Sequence, residues 1–108
     1  MPRALIFGII LAGVGLHPAD AQEAGASLAY GRHLAQECAG CHSAQMGGGI
    51  PVIAGKPAAE LSDLLRSFRE GRRTNPVMVS VARSLDERQI AALAAYFASL
   101  KAPDAAKR

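Results

Sequence analysis

Five consecutive residues carry the densest chemistry in this chain: Cys38-Ala39-Gly40-Cys41-His42. Two thiols three residues apart, followed at once by an imidazole, have the C-x-x-C-H spacing of covalent haem attachment. The reason is geometric. Thiols so spaced at the end of a helix can add across the two vinyl groups on one edge of a porphyrin. His42 is then held under the iron, where a ring nitrogen can ligate it. A bare C-x-x-C also serves redox dithiols and half of a zinc site. The zinc reading lacks a second ligand pair, because His17 belongs to a segment expected to be removed and His33 stands alone. The dithiol reading makes His42 accidental and has no strand ahead of the motif. His33, five residues before Cys38, reads as an exposed helix residue.

A haem iron also has a sixth position, and two sulfurs compete for it, Met46 and Met78. Met46 lies four residues past His42. Four extended residues span roughly 14 Å, and that segment would have to round the haem edge before its sulfur turned inward. Met78 follows a long segment and a helix, and Pro76 stiffens its approach. Met78 is therefore the expected ligand and Met46 a loop residue near the haem edge. The bland alternative for Met78 is a core methionine filling a gap. Two neutral ligands, an imidazole and a thioether, raise a haem potential. With both axial positions filled, oxygen and substrates have no place on the iron, which points to outer-sphere single-electron transfer. The haem carries the redox change while the protein sets its potential. An open-site haem enzyme or gas sensor remains the alternative if Met78 leaves the iron free.

The elements that must position these groups are helical. The first is expected from Ser27, as N-cap, to Cys38, with Leu28, Gly31, Leu34 and Ala35 on one face. The second starts near Pro57, carries Leu61, Leu64, Leu65 and Phe68 at i, i+3, i+4, i+7, and ends at Gly71. The third starts at Asp86, with Gln89 completing a capping-box pattern. It buries Ile90, Leu93, Ala94, Phe97 and Leu100 and stops before Pro103. The loop from Ser43 to Lys56 contains Gly47-Gly48-Gly49 and Pro51. Asn75-Pro76 marks a turn before a short helical turn at Val77–Ala82. No segment alternates like a strand, so the fold is expected to be all-α, three main helices around one covalently bound haem.

The 108 residues leave room for one domain behind a leader. Arg3, the apolar run Ala4–Leu16 and the site Ala19-Asp20-Ala21 have the order of a secretory signal peptide. Cleavage after Ala21 divides the chain into a leader, residues 1–21, and a mature domain, residues 22–108. The apolar run is too short to serve as an anchor, since a hydrocarbon core needs about 20 residues. Export to the periplasm is expected, with no stable membrane insertion after cleavage. The formal net charge of +3 comes without a basic stripe or interleaved aromatics, which argues against nucleic acid. A modest positive field suits steering toward an acidic redox partner, donor or acceptor. Arg66, Arg69, Arg72 and Arg73 at the end of the second helix read as a solvated helix end whose cations offset the dipole. The alternative for any one of them is a haem propionate or a partner's carboxylate. The chain has no Trp and few aromatics, so its core is thin. Small domains of this kind often need a staple. A porphyrin touching Leu61, Leu65, Phe68, Ile53 and the last helix would supply the missing interior.

On these residues the chain resembles class I c-type cytochromes, specifically the short bacterial monohaem domains. Gly31, seven residues before Cys38, matches the small residue where the family's first and last helices cross. Leu93 and Tyr96 match the positions facing it. Met78 matches the axial methionine. Pro51-Val52-Ile53-Ala54-Gly55 resembles the segment whose proline carbonyl accepts a hydrogen bond from the ligand histidine, and that resemblance makes Pro51 the partner that orients His42. The loop from His42 to Pro51 is short for the family, and Val81 stands where a second methionine is common. The run from Ala54 to Phe97 is also similar to the haem subunit of flavocytochrome c sulfide dehydrogenases, in which a small cytochrome docks on a flavoprotein. That similarity implies a possible role as the electron-transfer subunit of an oxidoreductase. By itself the chain is not expected to be an enzyme.

Overall fold

The computed structural model describes Gly13, Gly15, residues 18–43 and residues 49–102, with the side chains of the first helix described from Ser27 onward. Most of the expected leader, together with Met46, Gly47, Gly48 and Pro103, lies outside the described residues. Over the described residues the chain forms four helices and no strand: α1 (Pro18–His42), α2 (Ala58–Arg69), α3 (Pro76–Arg83) and α4 (Glu87–Ser99). The all-α expectation holds. The count of main helices rises from three to four.

The extra helix has a local cause. The Asn75 side chain accepts a hydrogen bond from the amide of Met78 at 3.1 Å, and Pro76 occupies the first helical position. A capping asparagine followed by a proline whose φ is already helical starts a helix efficiently. The expected short turn is therefore a helix of eight residues.

α1 also differs from expectation. It begins nine residues before Ser27 and runs through both thiols to His42. The stretch ahead of Ser27 holds four alanines, with Gln22 and Glu23 and Pro18 at its start, so propensity carries the helix outward and Ser27 lies inside it, not at its cap. The Ala21–Gln22 bond, where cleavage is expected, falls at the first turn of this helix.

α2 and α4 follow their patterns more closely. Pro57 sits at the cap of α2, one position earlier than expected, with ψ 139° and no side-chain hydrogen bond. Leu61 is buried and Leu64, Leu65 and Phe68 are half-buried. Gly71, at φ 76°, takes the left-handed turn that ends the helix. At the start of α4 the capping box is complete: Gln89 N donates to Asp86 Oδ1 at 2.8 Å, and Asp86 N donates to Gln89 Oε1 at 2.9 Å. Ile90, Leu93, Ala94 and Phe97 are buried along α4.

α4 is the common neighbour. It packs against α1 and α2, while α3 packs on α2. The α1–α4 crossing is tight enough to admit only glycine. A Cβ on Gly31 would lie 2.1 Å from the carbonyl oxygen of Ala92 and 2.8 Å from Tyr96 Cβ. The backbone at Gly31 meets that of Ala92, which is buried there, with Tyr96 facing the glycine as expected. Leu93 faces α1 one turn further along, in a cluster with Ala35, Leu61, Ala94 and Phe97.

Candidate haem site

The last turn of α1 carries Cys38, Cys41 and His42. Cys38 is half-buried against the Ala35–Leu93 cluster, and Cys41 is exposed. The two cysteines do not form a disulfide with each other. Burial, helped by the nearby Glu37 and Cys41, pushes the Cys38 thiol above its ordinary pKa, while a backbone hydrogen bond pulls the other way. A redox dithiol wants the opposite, a thiol held low so that it attacks as thiolate. Among the described residues, no group of three or more His, Cys, Asp or Glu side chains converges as a metal cage would.

His42 meets a specific partner. Its Nδ1 lies 2.7 Å from the carbonyl oxygen of Pro51. A carbonyl can only accept, so the proton resides on Nδ1 and the Nε2 lone pair is left free as a ligand. Pro51 reaches His42 across nine positions of sequence. The loop that brings it there is pinned by Ile53, which packs against the buried cluster.

Met78 comes from a different element. It is half-buried on the inner side of α3, beside the fully buried Ala82. Among the described residues α1 and α3 make no contact, and they meet only through α2 and α4. The structure thus brings Cys38, Cys41, His42 and Pro51 together and holds Met78 apart on its own helix. Asn75, read from the sequence only as a turn residue, fixes the amide of Met78 and so the start of its helix. An asparagine directly before a proline that opens an apolar helix was the available signal.

The charged cluster resolves into pairs. Arg66 and Arg69 both grip the carboxylate of Glu87 at the start of α4, with Arg66 Nη2 at 3.0 Å. Arg72 pairs with Glu70 at 2.9 Å. The Arg73 guanidinium lies 5.2 Å from the centre of the Phe68 ring. These contacts occupy the cations within the chain itself, in keeping with a helix end. His33 is exposed, as expected.

The residues fit a porphyrin. The buried cluster is rimmed by Leu34, Cys38, Ile53, Leu65, Leu85, Tyr96 and Leu100, all only partly covered. Alanine makes up half of the buried side chains, and Ile90 is the one large side chain fully buried among the described residues. A half-covered apolar rim with two thiols and a free imidazole nitrogen beside it suits a flat apolar group bound through sulfur and nitrogen. When bound, haem supplies the one-electron couple. The chain's own part would be to present His42 Nε2, with Nδ1–H hydrogen-bonded to the Pro51 carbonyl, and to line the group with apolar side chains.

Comparison with known proteins agrees. A family model described as "Cytochrome C oxidase, cbb3-type, subunit III" matches residues 20–97. The thiosulfate dehydrogenase electron acceptor of Thiomonas intermedia (strain K12) is 44% identical over 71 residues, covering 62% of this chain and 33% of that protein. Cytochrome c4 of Azotobacter vinelandii is 36% identical over 98 residues, 81% of this chain and 47% of the relative. Cytochrome c-553 of Helicobacter pylori (strain ATCC 700392 / 26695) is 33% identical over 72 residues, 63% of this chain and 75% of the relative. The chain thus spans less than half the length of the first two relatives. It belongs to the matched family, and is a small class I c-type cytochrome, an electron-transfer protein with covalently bound haem.

Proposed function

We propose that the mature chain, residues 22–108, is exported to the periplasm and carries one haem c, bound by thioethers to Cys38 and Cys41. His42 Nε2 and the Met78 thioether are its axial ligands, Pro51 orients His42, and the protein relays single electrons without binding substrate. The observation that carries this is the His42–Pro51 contact. It fixes the imidazole in the tautomer that a haem iron uses and leaves the ligating nitrogen free. The order of the amino-terminal segment supports export. Among the described residues no helix is long and apolar enough to cross a membrane.

The test is spectroscopic. A pyridine haemochrome of the exported protein should show one c-type haem per chain. The ferric protein should show the weak far-red band of methionine–iron ligation and should bind carbon monoxide slowly when reduced. Met78→Ala should abolish that band, admit carbon monoxide and lower the potential. A wild type that lacks the band and binds carbon monoxide at once would favour the open-site enzyme or sensor.

The donor is best sought among dehydrogenases that oxidise inorganic sulfur compounds. Two relatives carry the name thiosulfate dehydrogenase electron acceptor, the second from Stutzerimonas stutzeri (strain A1501) at 38% identity over 74 residues. The stretch from Ala54 to Phe97 independently resembles the haem subunit of a sulfide-oxidising flavocytochrome. A free carrier purifies as a monomer and is reduced by such an enzyme in solution. Copurification with a flavin-bearing chain would instead mark a permanent subunit.

A further inference from the structure

The carbonyl that holds His42 belongs to a loop that is itself fastened to the far end of α4. Gly55, four residues past Pro51, donates its amide to the carbonyl of Phe97 at 2.9 Å. That carbonyl lies in the last turn of α4, where the final carbonyls lack helical partners, so the loop satisfies one of them. Leu100 N reaches the same oxygen at 3.2 Å. Gly55 stands at φ 81°, in the left-handed region. A Cβ built there would lie 2.8 Å from both the amide nitrogen and the Cβ of Ala102, and 2.9 Å from its Cα. Two independent restraints, a positive φ and backbone at van der Waals contact, therefore exclude a side chain at this position.

We infer that Gly55 is a positioning residue for the haem iron: by docking on Phe97 and Ala102 it sets where the Pro51 carbonyl stands, and through that hydrogen bond how strongly His42 donates to iron. The inference rests on His42 being the iron's ligand. A carbonyl held firmly on Nδ1–H makes the imidazole a stronger base, and a stronger donor favours the ferric state. Ile53, packed against the buried cluster, and Gly55, bonded to α4, together leave the Pro51–Gly55 segment little freedom to drift. The end of α4 and the far side of the imidazole thus form one connected unit, although Phe97 and His42 are distant in sequence.

Gly55→Ala is the direct probe, measured on haem-loaded protein by redox titration. Displacing the loop weakens the Pro51 contact, so the potential should rise and the ferrous-to-ferric ratio at a fixed applied potential should increase several-fold. Asp86→Ala, which removes the cap at the opposite end of α4, controls for loss of stability and should leave the potential unchanged. An unchanged potential in Gly55→Ala, or an equal shift in Asp86→Ala, overturns the inference. Should Gly55→Ala fail to yield holoprotein, hydrogen exchange on the wild type decides. The Gly55 amide and the His42 Nδ1 proton should exchange with the same opening rate. Fast exchange at Gly55 with continued protection at His42 overturns the link. A wild type without c-type haem removes the functional reading itself, whereas a haem-loaded wild type whose Gly55 variant behaves normally removes only this inference.

Discussion

The two ends of the packing around α4 are finished in different ways. Where α1 crosses α4, protein closes on protein: Gly31 lets backbone meet backbone at Ala92, which is buried, with Tyr96 Cβ beside it. On the side that carries Cys38, Ile53, Leu65 and Leu85, the apolar side chains stop at half cover. Interiors at native density do not leave such a rim open. The first region is complete as folded chain, while the second has the surface of a core awaiting a large apolar insert. On that contrast, stability is expected to depend on sequence at the crossing and on the bound cofactor at the rim.

The sharpest way to break that contrast is to deny the rim its insert. In a Cys38→Ala, Cys41→Ala double variant, haem cannot be attached, and circular dichroism should show reduced helix with no cooperative melt. A fully helical apoprotein with a sharp transition would mean the four alanines and four larger residues of the core suffice alone. The next effect in size is at the crossing. Gly31→Ala places a methyl where Ala92 O already stands, so α1 and α4 must separate. Overpacking of this kind costs roughly 1–3 kcal/mol, and the upper part of that range is expected here because the obstructing atoms are backbone. Thermal melts of the holoprotein would read it. A smaller loss follows at the start of α4, where Asp86→Ala removes one half of the capping box. Cap removal costs about 1 kcal/mol, and the loss should appear as a lowered melting temperature with an unchanged haem spectrum.

How much of this could be read in advance follows the distance over which each feature acts. Asp86 with Gln89, and the apolar stripe of α4, are local patterns and needed no fold to recognise. The role of Gly31 at a helix crossing, and Tyr96 facing it, were legible through family resemblance, while the backbone contact with Ala92 was not. The start of α1 was misplaced because Ser27 has a capping side chain while the preceding residues favour helix more strongly. Cys38, Cys41 and His42 declare themselves by spacing. Pro51 came only from resemblance, since nothing local ties position 51 to position 42. Glu87 and Gly55 were missed for the same reason. Their partners lie 18 to 21 residues away for Glu87, and in another element for Gly55. Such contacts are products of packing, and no periodicity encodes them.

Glu87 also provides the finest test of how α2 is joined to α4. Its carboxyl is held below the ordinary glutamate range by hydrogen bonds from Arg66 and then Arg69, with their charges adding to the effect. A carboxyl depressed on folding stabilises the native state in full above its unfolded value, about 4.3. That contribution fades as the pH falls through the lower folded value, because the folded protein must then take up a proton against the two guanidinium groups. All three side chains are solvent-exposed to a substantial degree, so the effect is modest and screened by salt. Glu87→Gln should therefore lower the melting temperature slightly at neutral pH and low ionic strength. As the pH falls through the depressed folded value of Glu87 the variant and the wild type should converge, since protonation then leaves the wild-type side chain as uncharged as the glutamine. A gap that persists into acid, or that survives high salt undiminished, would show that Glu87 acts through packing at the α2–α4 contact and not through its charge.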